Sequence, residues 1–399
     1  MRLQLWSYNY DPEPLGIGPV SSVWAKAMTE RGHHVEVVAA HPHYPEAKWG
    51  RKLVPYREVR DGIRVTRLPL MVGRVTKRQR LAQEVSFLAS QTAASPFVGT
   101  PDVLIAVSPS FPALLPAMLI SKVKSIPWVL WLQDILPDGA VATGYMDEQG
   151  MAYRLSRRLE GASYRSANGI ALLSDSFRAN LRTKGVPESK ISVVYNPATL
   201  PVQRRYLEGV SRAEPPRIVC IGNIGRSQGL DGIVRDFEAN DDLERIGARL
   251  VITGSGVAED EVRAAITTDR VEMTGLLSRE NLQAELGRAT LAAVTQAYDT
   301  DDFNVPSKLM NYLAVGLPVV ASVRSTSEAA RIINASGGGW VSNRGNAESF
   351  SATVADALLD TDELSRRSEA GFRFAESNLT PEALALNFEA ILETAIENR

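Results

Sequence analysis

Apolar residues recur along this chain in two alternating rhythms. Short, mainly apolar runs, among them Leu3 to Tyr8, Val35 to Ala39, Val103 to Val107 and Trp128 to Leu132, are separated by stretches with helical spacing. Apolar runs of that length bounded by Gly, Pro, Asn or Asp predict strands buried on both faces. Further strands are predicted at Ile63 to Leu68, Gly169 to Leu173 and Ile191 to Tyr195. A second set follows at Arg217 to Gly222, Arg249 to Thr253, Val271 to Thr274, Leu291 to Thr295, Pro318 to Ala321 and Gly339 to Val341. A helix from about Val20 to Glu30, stopped at Gly32, is the first of the segments between them. Strand–helix alternation of this kind predicts an α/β protein with parallel sheets flanked by helices.

The two sets predict two doubly wound domains, with Asn196 to Pro216, rich in Pro and Arg, as the linker. Such sheets bind ligands beyond the carboxyl ends of their strands, so two facing domains imply a ligand cleft. The tail, Pro381 to Glu397, is an amphipathic helix through Leu384, Phe388, Ile391, Leu392 and Ala395. No strand follows it, so it is expected to pack back across the linker. The expected boundaries are 1–200, 215–378 and 379–399.

Val305 to Ser322 carries the densest chemistry. Pro306 suits a first helical turn, Ser307 can cap or bind an anion, and Lys308 puts a cation at the same end. Leu309, Tyr312 and Leu313 recur at helical spacing, Gly316 ends the helix, and Pro318-Val319-Val320-Ala321 restarts as a buried strand. Open N–H groups, the positive end of the helix dipole and a lysine together suit a diphosphate. An ordinary helix–strand unit reads the same.

Two glycine turns occupy matching places. Gly16-Ile17-Gly18 follows the first strand, and Gly222-Asn223-Ile224-Gly225-Arg226-Ser227-Gln228-Gly229 opens the second set. Both let backbone approach a phosphate or a sugar. Ala39-Ala40-His41 stands where a dinucleotide site would place an acidic residue, which argues against NAD. Arg226 can meet a diphosphate with a forked pair of hydrogen bonds, or be a surface arginine on a turn. Gly254-Ser255-Gly256 and Gly275-Leu276 end the next strands, where backbone groups can read a nucleobase edge or serve the turn alone. Asp134, after the strand ending at Leu132, is placed to accept or orient a hydroxyl proton, or to serve a loop hydrogen bond. His41 and His43 alternate on an extended segment beside Tyr44, and two histidines without further ligands predict no metal.

Composition narrows the class. The 399 residues have 44% hydrophobic content and a net charge of −2, enough for a full core and without a global pull toward nucleic acid. Cys220 is the single cysteine, which fits a reducing compartment. The start, Met1-Arg2-Leu3-Gln4-Leu5, enters a strand without a signal-peptide pattern, and apolar stretches are too short to span a bilayer. A cytosolic protein is expected. Locally, Lys48, Arg51, Lys52, Arg57, Arg60, Arg64, Arg67, Arg74, Lys77, Arg78 and Arg80 are opposed only by Glu58 and Asp61. That cluster predicts either attachment to anionic headgroups on an inner membrane face or a solvated face.

Taken together, the motifs resemble retaining glycosyltransferases of the GT-B fold, family four, and specifically the colanic acid, capsule and O-antigen branch with fucosyl- and N-acetylfucosaminyl-type members. The matching text is Y-N-Y-D-P-E-P-L-G-I-G (8–18), H-P-H-Y-P-E (41–46), V-S-P-S-F-P (107–112), W-L-Q-D-I-L-P-D (131–138) and A-V-A-T-G (140–144). It continues with I-G-N-I-G-R-S-Q-G-L-D (221–231), T-G-S-G (253–256) and the segment 305–322. The resemblance implies a UDP- or GDP-sugar donor, a lipid-linked saccharide acceptor and neither metal nor cofactor. It implies donor contacts from Gly16, Gly18, Gly222, Asn223, Gly254, Leu276, Pro306, Ser307 and Asn311. It also implies acceptor contacts from His43 and Tyr44, and catalytic roles for Asp134, Arg226 and Lys308. The family's basic pair falls on Asn223 and Gln228, and its paired glutamates fall near Phe303 and Asn311, none of which matches; Asp301 and Asp302 lie beside the first glutamate position. Two rivals stay open: a nucleotide-sugar 2-epimerase on the same twin-domain plan and, from the missing glutamates, a degenerate, regulatory nucleotide-sugar binder.

Overall fold

The computed structural model describes residues 1–14, 16–44, 49, 53–73, 76–108, 111–135, 150–204, 215–297, 307–343 and 347–398. The chain divides into two compact units, residues 1–196 with 381–399, and residues 197–380.

The first unit carries strands β1 (Arg2–Ser7), β2 (His34–Ala40), β3 (Tyr56–Arg60), β4 (Ile63–Leu68), β5 (Val103–Val107), β6 (Trp128–Leu132), β7 (Gly169–Leu172) and β8 (Ile191–Val193). Its helices are α1 (Gly18–Glu30), α2 (Lys77–Ala94), α3 (Phe111–Lys124), α4 (Met151–Ser166) and α5 (Phe177–Thr183). The sheet order is β3-β4-β2-β1-β5-β6-β7-β8. Every pair is parallel except β3 with β4. Strands β5 and β6 are buried along their whole length, as their unbroken apolar runs require. The sequence pattern did not reveal β3. Its residues Tyr-Arg-Glu-Val-Arg alternate half-buried with exposed, the signature of a charged edge strand rather than a core one.

The second unit carries β9 (Arg217–Ile221), β10 (Arg249–Thr253), β11 (Val271–Gly275), β12 (Leu291–Thr295), β13 (Val319–Val323) and β14 (Gly339–Asn343). They form an all-parallel sheet in the order β11-β10-β9-β12-β13-β14. Its helices are α6 (Leu230–Glu238), α7 (Asp241–Arg245), α8 (Glu259–Ala265), α9 (Arg279–Arg288), α10 (Ser307–Ala314), α11 (Glu328–Ser336), α12 (Ala347–Leu359) and α13 (Thr361–Asn378).

The last helix, α14 (Pro381–Glu397), belongs to the first unit. Leu384, Phe388, Ile391, Leu392 and Ala395 join the core with α1 and one face of the sheet. Phe388 meets the rings of Trp24 and Trp131 at centroid distances of 5.4 and 4.8 Å. Gly169 makes room for this helix: a Cβ there would lie 3.0 Å from Ile391 Cγ2. Arg31 of the loop after α1 holds Glu389 at 2.7 Å, and His33 Nε2 lies 2.9 Å from the same carboxylate. These bonds hold the Glu389 carboxyl at about 2, chiefly through Arg31, with burial opposing and His33 assisting.

In both sheets the strand order reverses beside the first strand, between β1 and β5 and between β9 and β12. Chain leaving the carboxyl end at such a point opens a crevice, which is where doubly wound sheets bind ligands. Each glycine turn sits at one of these points.

Candidate active site

In the second unit, β9 ends at Ile221 and the chain turns through Gly222 to Gly229 before α6. Gly222 and Gly229 have φ of +120° and +60°, conformations that disfavour side chains. Gly254 leaves β10 at φ +141°, and a Cβ on it would stand 1.8 Å from the Gly222 carbonyl oxygen. A Cβ on Gly256 would stand 2.3 Å from the carbonyl oxygen of Ile224. The turns are zipped together by Gly222 N–H donating to Thr253 O at 2.8 Å and Ile224 N–H to Ser255 O at 3.0 Å. Gly254 and Gly256 are therefore explained by backbone approaching backbone. Asn223 is exposed and packs its amide against the positions of Gly225 and Gly256. Leu276, just past β11, is 79% exposed.

Lys308, on the first turn of α10, lies over this turn. Its Nζ donates to Gln228 Oε1 at 2.8 Å and lies 4.0 Å from Cys220 Sγ. Its Cε is 3.9 Å from where a Gly222 Cβ would be. No carboxylate pairs with it among the described residues. One turn on, buried Tyr312 accepts from Ile221 N–H at 2.8 Å, tying α10 to the end of β9. Burial pushes the Tyr312 hydroxyl well above its ordinary range, with Cys220 adding to the rise. Gln228 and Tyr312 are positioning groups that sequence reasoning missed. Gln228 stood out only as a missing cation, and Tyr312 only as a core residue.

Two sequence-predicted donor-side groups are otherwise engaged. Arg226, 73% exposed, is held by Glu261 at 2.8 Å. That hydrogen bond, with Glu261's charge, raises the guanidinium above its usual range. Asn311 turns its carbonyl oxygen to the chain entering the unit, accepting from Thr199 N–H at 2.9 Å, Thr199 Oγ1 at 3.0 Å and Leu200 N–H at 3.1 Å. It pins the linker, so its oxygen is not directed to a ribose. Ser307 is exposed at the start of α10. Pro306, Asp301, Asp302 and Phe303 lie outside the described residues.

In the first unit, the loop from β1 to α1 is organised by Glu13, whose side chain is fully buried. Its carboxylate accepts from Asn9 Nδ2 at 3.0 Å, Tyr10 N–H at 3.3 Å, and the N–H groups of His43 and Tyr44 at 2.8 Å each. His43 Nδ1 lies 2.9 Å from His41 O and 3.3 Å from Glu13 Oε1. Both neighbours are acceptors, so Nδ1 carries a hydrogen. Glu13 thus links the glycine loop to the segment bearing His43 and Tyr44. The sequence showed it only as one letter of a matching string. Gly16 is exposed at φ +67°, and Gly18 opens α1 with room for no side chain, a Cβ lying 3.0 Å from Glu13 O. Asp134 follows β6 with its side chain reaching solvent, yet crowded enough that lost hydration raises its carboxyl, the Ile135 N–H partly offsetting this.

The basic segment is less free than its sequence implies. Arg67 is fully buried and bonds Glu58 at 2.8 Å, Ala40 O at 3.2 Å and, more closely, Asp11 O. Arg60 pairs with Asp11 at 3.0 Å and Arg64 with Glu36 at 2.6 Å. Burial pushes Glu58 up, but Arg67 and Arg60 outweigh it and hold its carboxyl below the ordinary range. Arg57, Arg78 and Arg80 are exposed. Lys48, Arg51, Lys52, Arg74 and the Lys77 side chain lie outside the described residues. An apolar groove of about 630 Å³ beside β3 and α2 contains none of the sequence-predicted site residues. Among the described residues no cluster of His, Cys, Asp and Glu is arranged to hold a metal ion, and no helix is long and apolar enough to cross a membrane.

Comparison with known families decides what the two halves are. A glycosyl transferase 4-like domain matches residues 16–197, and a domain of glycosyl transferases group 1 matches residues 208–374. The chain is built of two glycosyltransferase domains. It is 26% identical to WcaI of Escherichia coli (strain K12), named for colanic acid biosynthesis glycosyl transfer, over 97% of this chain and 98% of that one. Sucrose-phosphate synthase from Thermosynechococcus elongatus superposes with a TM-score of 0.70 at 15% identity, covering 100% of both chains. HepE of Anabaena, solved in complex with UDP, gives a TM-score of 0.65 at 14% identity over 99% of this glycosyltransferase and 100% of HepE. The fold of this glycosyltransferase is GT-B, as the resemblance implied.

Proposed function

We propose that this glycosyltransferase moves a sugar from a nucleoside diphosphate donor, a UDP- or GDP-sugar, to a hydroxyl of a polyprenyl-diphosphate-linked saccharide in surface polysaccharide biosynthesis. The anomeric configuration would be retained, and the work would be done at the inner face of the cell membrane. The observation that carries the donor half is the Lys308 ammonium fixed over the Gly222–Gly229 turn without a carboxylate partner among the described residues. A cation at the carboxyl end of a central strand, where the strand order reverses, suits a leaving diphosphate. The similarity to WcaI supports the polysaccharide half, and the likeness to HepE, which was solved with UDP, supports a nucleotide donor.

In this reading, the second unit supplies donor contacts and the first supplies acceptor contacts. Departure of the nucleoside diphosphate is the step that needs stabilising, and Lys308 with neighbouring N–H groups supplies it without a metal ion. Asp134 orients the attacking hydroxyl. Its raised carboxyl makes it a stronger proton acceptor than an ordinary aspartate.

A thermal-shift panel with UDP-, GDP-, TDP- and CMP-sugars in the presence of chelator tests the proposal. A ligand that binds only the folded state raises the melting temperature with the logarithm of its saturation. A rise with UDP- or GDP-sugars that survives chelator is expected. No rise with any donor, or a rise that chelator abolishes, would overturn the metal-free donor site.

A further inference from the structure

Helix α4 bears a second concentration of positive charge, which the sequence reading did not single out. Met151, Arg154, Leu155, Arg157, Arg158 and Arg165 are all exposed. At 100° per residue they fall within about 160° of arc on one side of the helix. Tyr153, Glu160, Ser163 and Tyr164 are buried on the other side. Glu160 is the only acidic residue of the helix, and it is turned inward, where it closely pairs with Lys184 and accepts from Tyr164 Oη at 2.7 Å. The exposed face therefore carries cations and no anion. Arg165 donates to Lys184 O at 2.9 Å, and Arg157 lies 5.8 Å from the Tyr153 ring centroid. Together with Arg154 and Arg158 these residues line an open pocket of about 550 Å³. Among the described residues, Arg154, Arg157 and Arg158 have no carboxylate partner.

Two further side chains indicate what this face meets. Met151 is 80% exposed and Leu155 is 56% exposed, one turn apart beside the arginines. A soluble anion gives no reason for bare apolar side chains next to the cations. A bilayer surface does: the apolar tips enter the boundary of headgroup and acyl chain, while arginine stems lie along it and keep their heads at the phosphates.

We propose that the exposed face of α4 is where this protein docks on anionic phospholipid headgroups. The proposal rests on the membrane-side part of the function proposed above and names its surface. It places that surface on α4, whose exposed arginines sit beside bare apolar side chains, rather than on the segment 48–80, where Arg60, Arg64 and Arg67 are paired with carboxylates of their own unit.

The test is co-sedimentation of the full chain with vesicles of phosphatidylglycerol and phosphatidylcholine in equal parts, against vesicles of phosphatidylcholine alone. Wild type is expected to sediment with the anionic vesicles only, less so as salt is raised. The triple variant Arg154→Glu, Arg157→Glu, Arg158→Glu is expected to lose on the order of 100-fold in affinity or more. Those side chains are exposed, so its melting temperature should match wild type. A comparison variant, Arg57→Glu, Arg78→Glu, Arg80→Glu, reverses the same amount of charge and should stay within about fivefold of wild type. Wild type left in the supernatant, an α4 variant that binds like wild type, or a comparison variant that loses as much would each overturn the proposal. So would inorganic pyrophosphate raising the melting temperature through the α4 arginines while vesicles fail to bind, which would make the pocket a soluble-anion site. Nucleotide thermal shifts on the same variants read the donor site separately, so failure of docking and failure of the transferase reading are distinguishable.

Discussion

Replacing Lys308 by alanine removes the cation that α10 holds over the glycine turn of the second unit, and its effect can be worked from the geometry. The ammonium is half-buried, steered by a neutral partner, Gln228 Oε1 at 2.8 Å, and its charge is therefore not cancelled locally. Unit charges about 4 Å apart at an effective dielectric constant of about 20 attract by about 4 kcal/mol, part of which desolvation of both groups takes back. Losing one preorganised charge-stabilising donor costs on the order of 10²–10³-fold. Lys308→Ala should therefore weaken the nucleoside diphosphate by about 100-fold or more, and Lys308→Arg should recover part of it. Arg226 gives the contrast. It is 73% exposed and already bonded to Glu261 at 2.8 Å, so solvent and a carboxylate both screen its charge. Arg226→Ala should thus cost under about fivefold. Isothermal titration with UDP and with GDP, beside thermal melts of the free variants, reads both numbers. Binding by Lys308→Ala within about threefold of wild type, or an equal loss in Arg226→Ala, would refute the assignment of the donor charge to Lys308.

Two other outcomes follow from packing and titration. Gly254→Ala should destabilise the second unit by about 3 kcal/mol or more, because its Cβ would stand 1.8 Å from Gly222 O at φ +141°. Gly275→Ala, with nothing within 4 Å but φ +70°, should cost only about 1 kcal/mol, and equal melting temperatures for the two variants would contradict this. Glu389→Gln should weaken the hold of α14 on the first unit at neutral pH and hardly at all in strong acid. The folded carboxyl titrates at about 2 against an ordinary 4.5, so its contribution is present above the ordinary value and lost as pH falls toward 2. The full shift corresponds to about 3 kcal/mol, which solvent screening at this rim pair reduces to about 1 kcal/mol. Urea melts followed by Trp24 and Trp131 fluorescence, beside Phe388 of α14, would show it; an equal difference at both extremes of pH would refute it.

The sheets were legible because burial on both faces writes itself into sequence. Val103 to Val107 and Leu291 to Val294 leave no polar position to confuse the period, and both are buried throughout. Strand β3 was not, because an edge strand needs only half a face of apolar residues and uses charge to block further pairing. The glycine turns were legible for a different reason. A strand followed by a glycine-rich turn and a helix opens each half of the chain, and both turns stand where the strand order reverses. Their cause was less legible: Gly254 and Gly256 accommodate the carbonyls of Gly222 and Ile224, a contact between backbones about thirty residues apart that no local pattern encodes.

What the sequence could not show was which cations keep their charge available. Arg226 and Lys308 look equally suited to a diphosphate as letters, and the segment 48–80 looks more basic than α4. The difference lies in carboxylates that arrive through the fold: Glu261 on Arg226, Glu58 on Arg67, Asp11 on Arg60 and Glu36 on Arg64. On Lys308 the incoming group is a neutral amide, and on α4 the helix's own glutamate is turned inward to Lys184. A charge-assisted bond already made must be broken or shared before the same guanidinium can take a phosphate, whereas an ammonium steered by an amide gives up only a neutral hydrogen bond. The same physical rule therefore selects both the donor cation and the docking face. It also makes a joint demand: grafting a carboxylate beside the surviving cations, as in Gln228→Glu, should weaken nucleotide binding while leaving Lys308 in place.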